Sequence, residues 1–509
     1  MRISGVALGT KVQVVFGQTW TKFISSLMST TALVRPVPQR RIVVVVGSLL
    51  MSFIPTLSQA TDNLPNGGIV VAGQANIGGA ANGMLITQSS KNAIINWNGF
   101  SIGAGKNVTF QNGTGATLNR VTGTGASFIN GRLTATGSLF LINQNGVIIG
   151  KSGVINTGGS FIASTLDVTN GDFLNGGDLT FTGNSNASVI NLGKVSSLGG
   201  DVAFIAHTVV NEGSISAPNG TAALLAGREV LMRDAALNDG KFVVKLGDAT
   251  SSVTEAGMIA AASVELRANG GNVYALAGNK GGAINATGVT NSGGRIFLTA
   301  SGGRVTVNKR IKAKRNNGAG GNIFINANIV SIANLLDVSS AAGQGGKIDI
   351  GASDTITLAS ATLGASGYTG GGTIRVGGEY QGGKYLAKDE VQNVQTLLID
   401  ELTTLKADGT GNNADGGKII MWADGDTTFN GSASATAIGN GTGGFVETSA
   451  AYLHIGNSAR VTTLSESGTA GTWLLDPGDF IVSASGGDMT GAQLSGWLNS
   501  TSIGILTSL

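Results

Sequence analysis

The chain of 509 residues has no cysteine, six prolines and two histidines, and only 12% of its residues are charged. Without cysteine there is no disulfide framework, no thiol nucleophile and no thiolate metal site. His207 and His454 each stand alone in a strand-like run, so each reads as a packed or solvated side chain rather than half of an acid–base pair. Low charge combined with 41% hydrophobic residues excludes a disordered polyelectrolyte. Scarce proline, and glycine that does not fall at every third position, exclude collagen. What is abundant is glycine itself, 82 residues, set with Asn, Asp and Ser between short apolar runs. That is the composition of a β-rich chain with frequent turns.

The charge is unevenly placed. Residues 1–60 hold Arg2, Lys11, Lys22, Arg35, Arg40 and Arg41 and no acid, so the rest of the chain is net −3 while the whole is +3. Nucleic acid is therefore not an expected partner. Arg40 and Arg41 precede the apolar run Ile42 to Ile54, and Ser58-Gln59-Ala60 offers small residues for cleavage. The run falls short of the roughly 20 residues a membrane-spanning helix needs. Residues 1–60 read as an extended signal peptide.

Beyond residue 199 a Gly-Gly pair recurs ahead of an alternating strand: Gly199-Gly200, Gly270-Gly271, Gly293-Gly294, Gly320-Gly321, Gly345-Gly346, Gly371-Gly372, Gly416-Gly417 and Gly443-Gly444. From Gly294 the second glycines advance by 27, 25 and 26 residues, then by 45 to Gly417 and by 27 to Gly444. Such a period marks a solenoid. Each unit holds short runs with period-two alternation, as in Ile323-Phe324-Ile325-Asn326-Ala327 followed by Ile329-Val330-Ser331-Ile332, with no room for paired helices. The expected fold is all-β, a right-handed parallel β-helix. A propeller needs about 40 residues per blade and does not fit. The long step implies an inserted loop or enlarged coil. Within it, Lys388 to Ala407 reads either as a helix with Val391, Val394, Leu397 and Leu398 on one face or, preferably, as an inserted loop followed by another coil.

Chemical signals are sparse. Asp167, Asp172 and Asp178, and the group Asp408, Thr410, Asn412 and Asp415, read as turn formers rather than as clustered acids or a calcium loop. No cofactor or metal is expected, and the chain is not expected to be an enzyme. The sharpest local feature is Lys309-Arg310-Ile311-Lys312-Ala313-Lys314-Arg315. In a strand, Ile311 and Ala313 face inward and Arg310, Lys312 and Lys314 form one outward row. That row is either a site for acidic glycans or a strand edge protected by charge.

Several segments together resemble the two-partner-secreted exoproteins of the filamentous haemagglutinin N-terminal family. They begin with Leu64-Pro65-Asn66-Gly67-Gly68-Ile69-Val70 and Ile95-Asn96-Trp97-Asn98-Gly99-Phe100. The strongest are Leu118-Asn119-Arg120-Val121-Thr122-Gly123 and Leu139-Phe140-Leu141-Ile142-Asn143-Gln144-Asn145-Gly146. Gly417 to Asp424, Gly444 to Ser449 and Gly471 to Pro477 look like blocks found downstream in large members. The family's Asn-Pro-Asn-Gly turn stands here as Asn143-Gln144-Asn145-Gly146, without its proline.

The resemblance implies export through a dedicated outer-membrane β-barrel transporter whose periplasmic POTRA domains engage the N-terminal domain, with Asn119, Arg120, Asn143, Gln144, Asn145 and Gly146 as candidate recognition residues. It implies three parts: the signal at 1–60, a two-partner secretion domain at 61–310, and β-helical repeats at 311–509. The expected product is a secreted, cell-surface adhesin-like protein of a Gram-negative bacterium, acting on host or neighbouring-cell glycans or proteins. A β-helical polysaccharide-degrading enzyme is the alternative. An autotransporter passenger would need a membrane barrel, and none appears by residue 509. The tail from Trp497 reads as the opening of another repeat with no cap over the last coil, as in a truncated chain.

Overall fold

The computed structural model describes residues 64–237, 240–276, 283–286, 294–314, 318–383, 391–485 and 487–507. The signal-peptide reading of 1–60, Arg315 of the basic run and Lys388 to Glu390 lie outside the described residues. The described residues all belong to the unit that starts at Ala60.

The chain winds as a parallel β-helix with three faces. Face A stacks Asn92–Trp97, Ala116–Val121, Ser138–Asn143, Phe161–Ser164 and Val202–Ala206, and continues in register to Thr472–Pro477. Face B runs from Ser127–Ile129 through Val147–Ile149 and Ser188–Asn191 to Tyr452–Ile455. Face C runs from Gly83–Gln88 through Asn107–Gln111 and Arg132–Ala135 to Arg460–Thr462. Each full coil passes A, B, C and returns to A. At the N-terminal end pairing turns antiparallel: Ile69–Ala72 lies on Asn92–Trp97, and Ala75–Ala80 forms a hairpin with Gly83–Gln88. This hairpin gives the first coil an irregular start.

Alternation on each strand sends every second side chain into the lumen. On face A the inward column reads Val264, Ile296, Ile323, Ile348, Ile374, Ile419, Val446 and Trp473, each in register with the next and each essentially unexposed. Full burial of one such side chain stabilises the stack by about 1.5–3 kcal/mol.

Between face C and face A sits the glycine pair, and sterics explain both members. A Cβ on the second glycine would collide with the carbonyl oxygen of the second glycine one coil earlier: Gly346 with Gly321, Gly372 with Gly346, Gly417 with Gly372, Gly444 with Gly417. A Cβ on the first would collide with the carbonyl of the residue leaving face C one coil later: Gly345 with Ala365, Gly371 with Ala407, Gly416 with Ala435. The second glycine also carries bonds in both directions. Gly417 N–H donates to Ala407 O at 2.7 Å, and Gly417 O accepts from Phe445 N at 2.9 Å. The repeat visible in the sequence is thus a contact between successive backbones that leaves no space for a side chain.

Among the described residues three excursions leave the helix, all between faces A and B. Residues 165–187 carry helix α1 (Asn170–Asn175), capped by Thr169, and the strand Leu179–Thr182. Residues 227–251 carry Glu229–Leu237 and Gly240–Leu246, which join Leu179–Thr182 in a three-stranded antiparallel sheet. These two excursions cover outward apolar residues of face A. Ile94, Leu118, Phe140, Ile162, Ile205 and Leu225 pack under Phe173, Phe181, Val230 and Phe242 in a second core outside the lumen. The third, described at 377–383 and 391–395, falls where the long repeat step implies an inserted loop. After it Thr396–Ile399 and Thr404–Lys406 resume faces B and C, so the coil reading of this stretch holds over the helical one.

Near the end of the described residues, Ser502–Ile505 extends face A on Thr472–Pro477. Helix α2 (Gly491–Trp497), started by a Thr490–Gln493 capping box, lays Trp497 across Trp473 at 4.9 Å between ring centroids, with Met489 buried beside them.

Gly417→Val should destabilise the stack by roughly 2–4 kcal/mol through this backbone collision. Gly125→Ala, where the added methyl meets open space, should leave the denaturant midpoint unchanged. Equal effects of the two would contradict the steric account.

Candidate functional site

The residues of Leu118-Asn119-Arg120 alternate between lumen and exterior, and both polar members are fully engaged. Asn119 is sealed in the lumen, accepting from Trp97 Nε1 at 2.9 Å and donating to Phe140 O. Arg120 points outward and clamps the first excursion. Its Nε meets both Asp167 oxygens at 2.9 and 3.0 Å, and its remaining nitrogens reach Asn170 Oδ1 and Val168 O. In the folded domain these two side chains hold structure.

The turn Asn143-Gln144-Asn145-Gly146 is built differently. Asn143 is buried, donates to Gly125 O and Ser127 Oγ, and accepts from Asn145 N, an Asx turn that needs no proline. Gly146 adopts a φ of 109°, a conformation that favours glycine. Gln144 and Asn145 are exposed at the tip. Gln144 O accepts from Ser185 Oγ at 2.5 Å, which ties the tip to the excursions. Arg228 donates to Ser185 O and Asn186 Oδ1 and pairs with Asp248 at 3.0 Å, and Asp248 meets His207 Nε2 at 3.2 Å. Burial opposes ionisation of Asp248, but bonds from Thr250 together with His207 and Arg228 outweigh it and hold the carboxyl below the usual carboxylate range. His207 is thus part of a packed network, as its isolation in the sequence suggests.

The basic run divides. Ile311 and Ala313 are buried, with Arg310 exposed and Lys312 and Lys314 half-buried on the outside of face C. Lys314 pairs with Asp337 at 2.9 Å. Lys309, at the corner before the strand, turns the other way and lies wholly inside the lumen. Among the acids read as turn formers, Asp408 Oδ1 accepts from Ser434 Oγ and from Thr436 N and Oγ1, Asp415 accepts from Thr442 N, and Asp178 accepts from Asp234 N.

Two features escaped the sequence. The first is a groove of about 630 Å³ on the outside of face B, where the irregular segment 478–488 replaces a regular strand. Its floor is Asp426, Thr428, Tyr452 and His454, brought together by register, and Asp479, Ile481 and Asp488 form its wall. Tyr452 and His454 are exposed. The second is a polar column inside the lumen made by Asn191, Asn211 and Glu255. A repeated signal marks it: each ends a face B strand two residues before Gly193, Gly213 or Gly257.

Glu447, in the Gly444 to Ser449 block, lies on face A under the third excursion. Oε1 accepts from Gln381 N at 3.0 Å and Ser449 Oγ at 3.0 Å, while Oε2 has no hydrogen-bond partner. Burial pushes this carboxyl up to about 7. Asp476 adds to the effect, and the two hydrogen bonds and Lys418 oppose it. The folded state thus prefers the protonated form. Its contribution to stability is full below the ordinary value of 4.5 and is lost as pH rises through about 7. Wild type should lose on the order of 3 kcal/mol between these limits through this group. Glu447→Gln should flatten that part of the pH–stability curve, and an unchanged slope would remove Glu447 as its source.

Comparison with known proteins bears on the same residues. Residues 61–313 match the family model described as TPS secretion domain. A heme/hemopexin-binding protein of Haemophilus influenzae strain Rd is 36% identical over 267 residues, covering 48% of this chain and 28% of the relative. A second heme/hemopexin-binding protein of Haemophilus influenzae is 44% identical over 90 residues, covering 17% of this chain and 10% of the relative. The chain therefore spans less than a third of the length of these curated relatives. Among solved structures, the HMW1 secretion domain from Haemophilus influenzae aligns with a TM-score of 0.57 at 28% identity, over 81% of this chain and all of that one.

Proposed function

We propose, from the premise that residues 61–313 are a TPS secretion domain, that this exported protein leaves the cell through one dedicated outer-membrane β-barrel transporter and acts at the cell surface as an adhesin-like binding protein rather than an enzyme. The family match over the N-terminal half carries the reading. A TPS domain implies an outer-membrane transporter as partner, and periplasmic POTRA domains are the part we assign to its recognition.

The fold supports a specific order of events. Asn119 and Asn143 are sealed in the folded coils, so the transporter reads these positions on the unfolded chain. An extended segment with free backbone groups adds readily to a sheet edge. Once outside, each coil stacks on the one before it and its inner face is withdrawn from water. In the binding role, Arg310 and Lys312 present positive charge on the flat outside of face C, suited to acidic glycans on host or neighbouring cells. Engagement of Asp167, Asp178, Asp408 and Asp415 in turns and clamps supports binding over polysaccharide cleavage, which needs acids free to exchange protons.

The names of the relatives raise haem or hemopexin as a ligand. Tyr452 and His454 are side-chain types that ligate haem iron, but Asp426, Asp479 and Asp488 line the same groove and would repel the haem carboxylates. This groove is therefore not assigned to haem.

Co-expression of the full chain with its cognate transporter in a Gram-negative host tests the export reading. The β-helical product should reach the medium or the protease-accessible surface only when the transporter is present. Equal release without it, or retention in the cytoplasm, would sink the proposal.

A further inference from the structure

The groove on the outside of face B combines an exposed aromatic ring with polar groups that have no partner. Its floor comes from two successive coils. Register sets Asp426 beside Tyr452 and Thr428 beside His454. The four side chains stand at the corners of a rectangle of roughly 5 by 7 Å, one strand spacing by two residue rises. Thr427 and Leu453, between them on the two strands, are buried on the lumen side, so all four corners face outward. Tyr452 is 74% exposed, the highest value of any large apolar side chain among the described residues. Among those residues, no hydrogen bond or ion pair engages the Asp426 carboxylate, the Tyr452 hydroxyl or either His454 ring nitrogen.

The wall is held in place by backbone bonds. Gly478 N donates to Ala451 O at 3.2 Å as the chain leaves face A. Asp488 Oδ2 accepts from Ile481 N at 2.8 Å, Asp488 N donates to Ile481 O at 2.9 Å, and the next residue, Met489, is buried. Asp479 Oδ1 accepts from Phe480 N at 2.8 Å. Each aspartate keeps its other carboxyl oxygen without a partner among the described residues, and Ile481 is exposed beside them.

A ligand suited to this groove offers an apolar face to Tyr452 and hydrogen-bond donors to the carboxylates around it. A pyranose ring does both, with C–H bonds on its face, hydroxyls on its rim and a size that matches the rectangle. Charge narrows the class. Asp426, Asp479 and Asp488 line the groove, and no Lys or Arg is among its lining residues. Sialic and uronic acids are therefore repelled, while sugar hydroxyls gain charge-assisted bonds. The volume of about 630 Å³ lies in the range of small-ligand sites and admits a short oligosaccharide.

We propose that this groove binds neutral hexose oligosaccharides, with Tyr452 as the stacking platform and Asp426, His454, Asp479 and Asp488 as hydrogen-bonding groups for the hydroxyls. The site is separate from the basic row of face C, where Arg310 and Lys312 suit acidic glycans. It also stands apart from the export route, because the folded coils alone form the groove.

Saturation-transfer NMR on the purified full-length chain reads such binding even when it is weak. The neutral probes are lactose, maltotriose, cellotriose and mannotriose; sialyllactose is the acidic probe, and chitosan trimer and a lysine-rich peptide are the cationic ones. At least one neutral glycan should receive saturation. Tyr452→Ala should weaken its binding roughly tenfold, with Tyr452→Phe close to wild type. Asp426→Ala should weaken it as well. These side chains are exposed, so the denaturant midpoint of each variant should match wild type. Arg310→Ala should leave neutral-glycan binding unchanged, and any sialyllactose signal lost in that variant belongs to face C. Saturation of none of the neutral glycans, or of acidic or cationic probes alone, would overturn the proposal. So would neutral-glycan binding that is undiminished in Tyr452→Ala.

Discussion

The contact on which the stack most depends is backbone against backbone at the corner between faces C and A. There the second glycine of each pair lies so close to its counterpart one coil earlier that no Cβ fits, from Gly321 on Gly294 to Gly471 on Gly444. This contact sets the register of every later strand, because the residue after the pair opens face A with a hydrogen bond to the preceding coil. A slip of one residue would turn the Ile323–Ile348–Ile374 column outward and expose it. The excursions obey the same constraint. Among the described residues all three leave between faces A and B, and none separates a glycine pair from its strand.

Much of this was legible because the constraint repeats. The glycine pairs and the alternation of Ile323-Phe324-Ile325 are local, and they point to coils, to inward columns and to an outward row at Arg310, Lys312 and Lys314. The inserted loop was visible as an irregular step. What was not legible depends on which coil lies next to which. Phe140, Ile162 and Ile205 look like excess core residues until excursions from far along the chain cover them. Lys309 reads as the first member of a surface run, yet at the corner its side chain turns inward to Glu255. Asn119 looks like an exposed motif residue, but Trp97, one coil earlier, seals it. The groove at Asp426, Tyr452 and His454 exists only because register sets those side chains together and an irregular coil opens beside them.

Burial of polar groups gives the molecule two different lives. In the unfolded chain Asn119, Asn143, Glu255, Lys309 and Glu447 are hydrated and available to partners. Once the coils close, each is withdrawn from water, and burial pushes the Glu447 carboxyl up to about 7. On the proposed export route, recognition that relies on such residues belongs to the time before folding. Recognition at the surface afterwards falls to groups that stay exposed, such as Gln144, Asn145, Arg310 and Tyr452.

Because the chain lacks cysteine, disulfide trapping reads the stacking directly and without background. Thr404 and Ser432 are register partners on adjacent face C strands, and Thr362 lies one coil before Thr404. Oxidation of the Thr404→Cys, Ser432→Cys double variant should close a disulfide rapidly, since neighbouring strands put the Cα atoms within bonding range. The Thr362→Cys, Ser432→Cys variant, two coils apart, should stay reduced. Cross-linking of the distant pair, or failure of the adjacent one in a folded protein, would contradict parallel stacking in the register described.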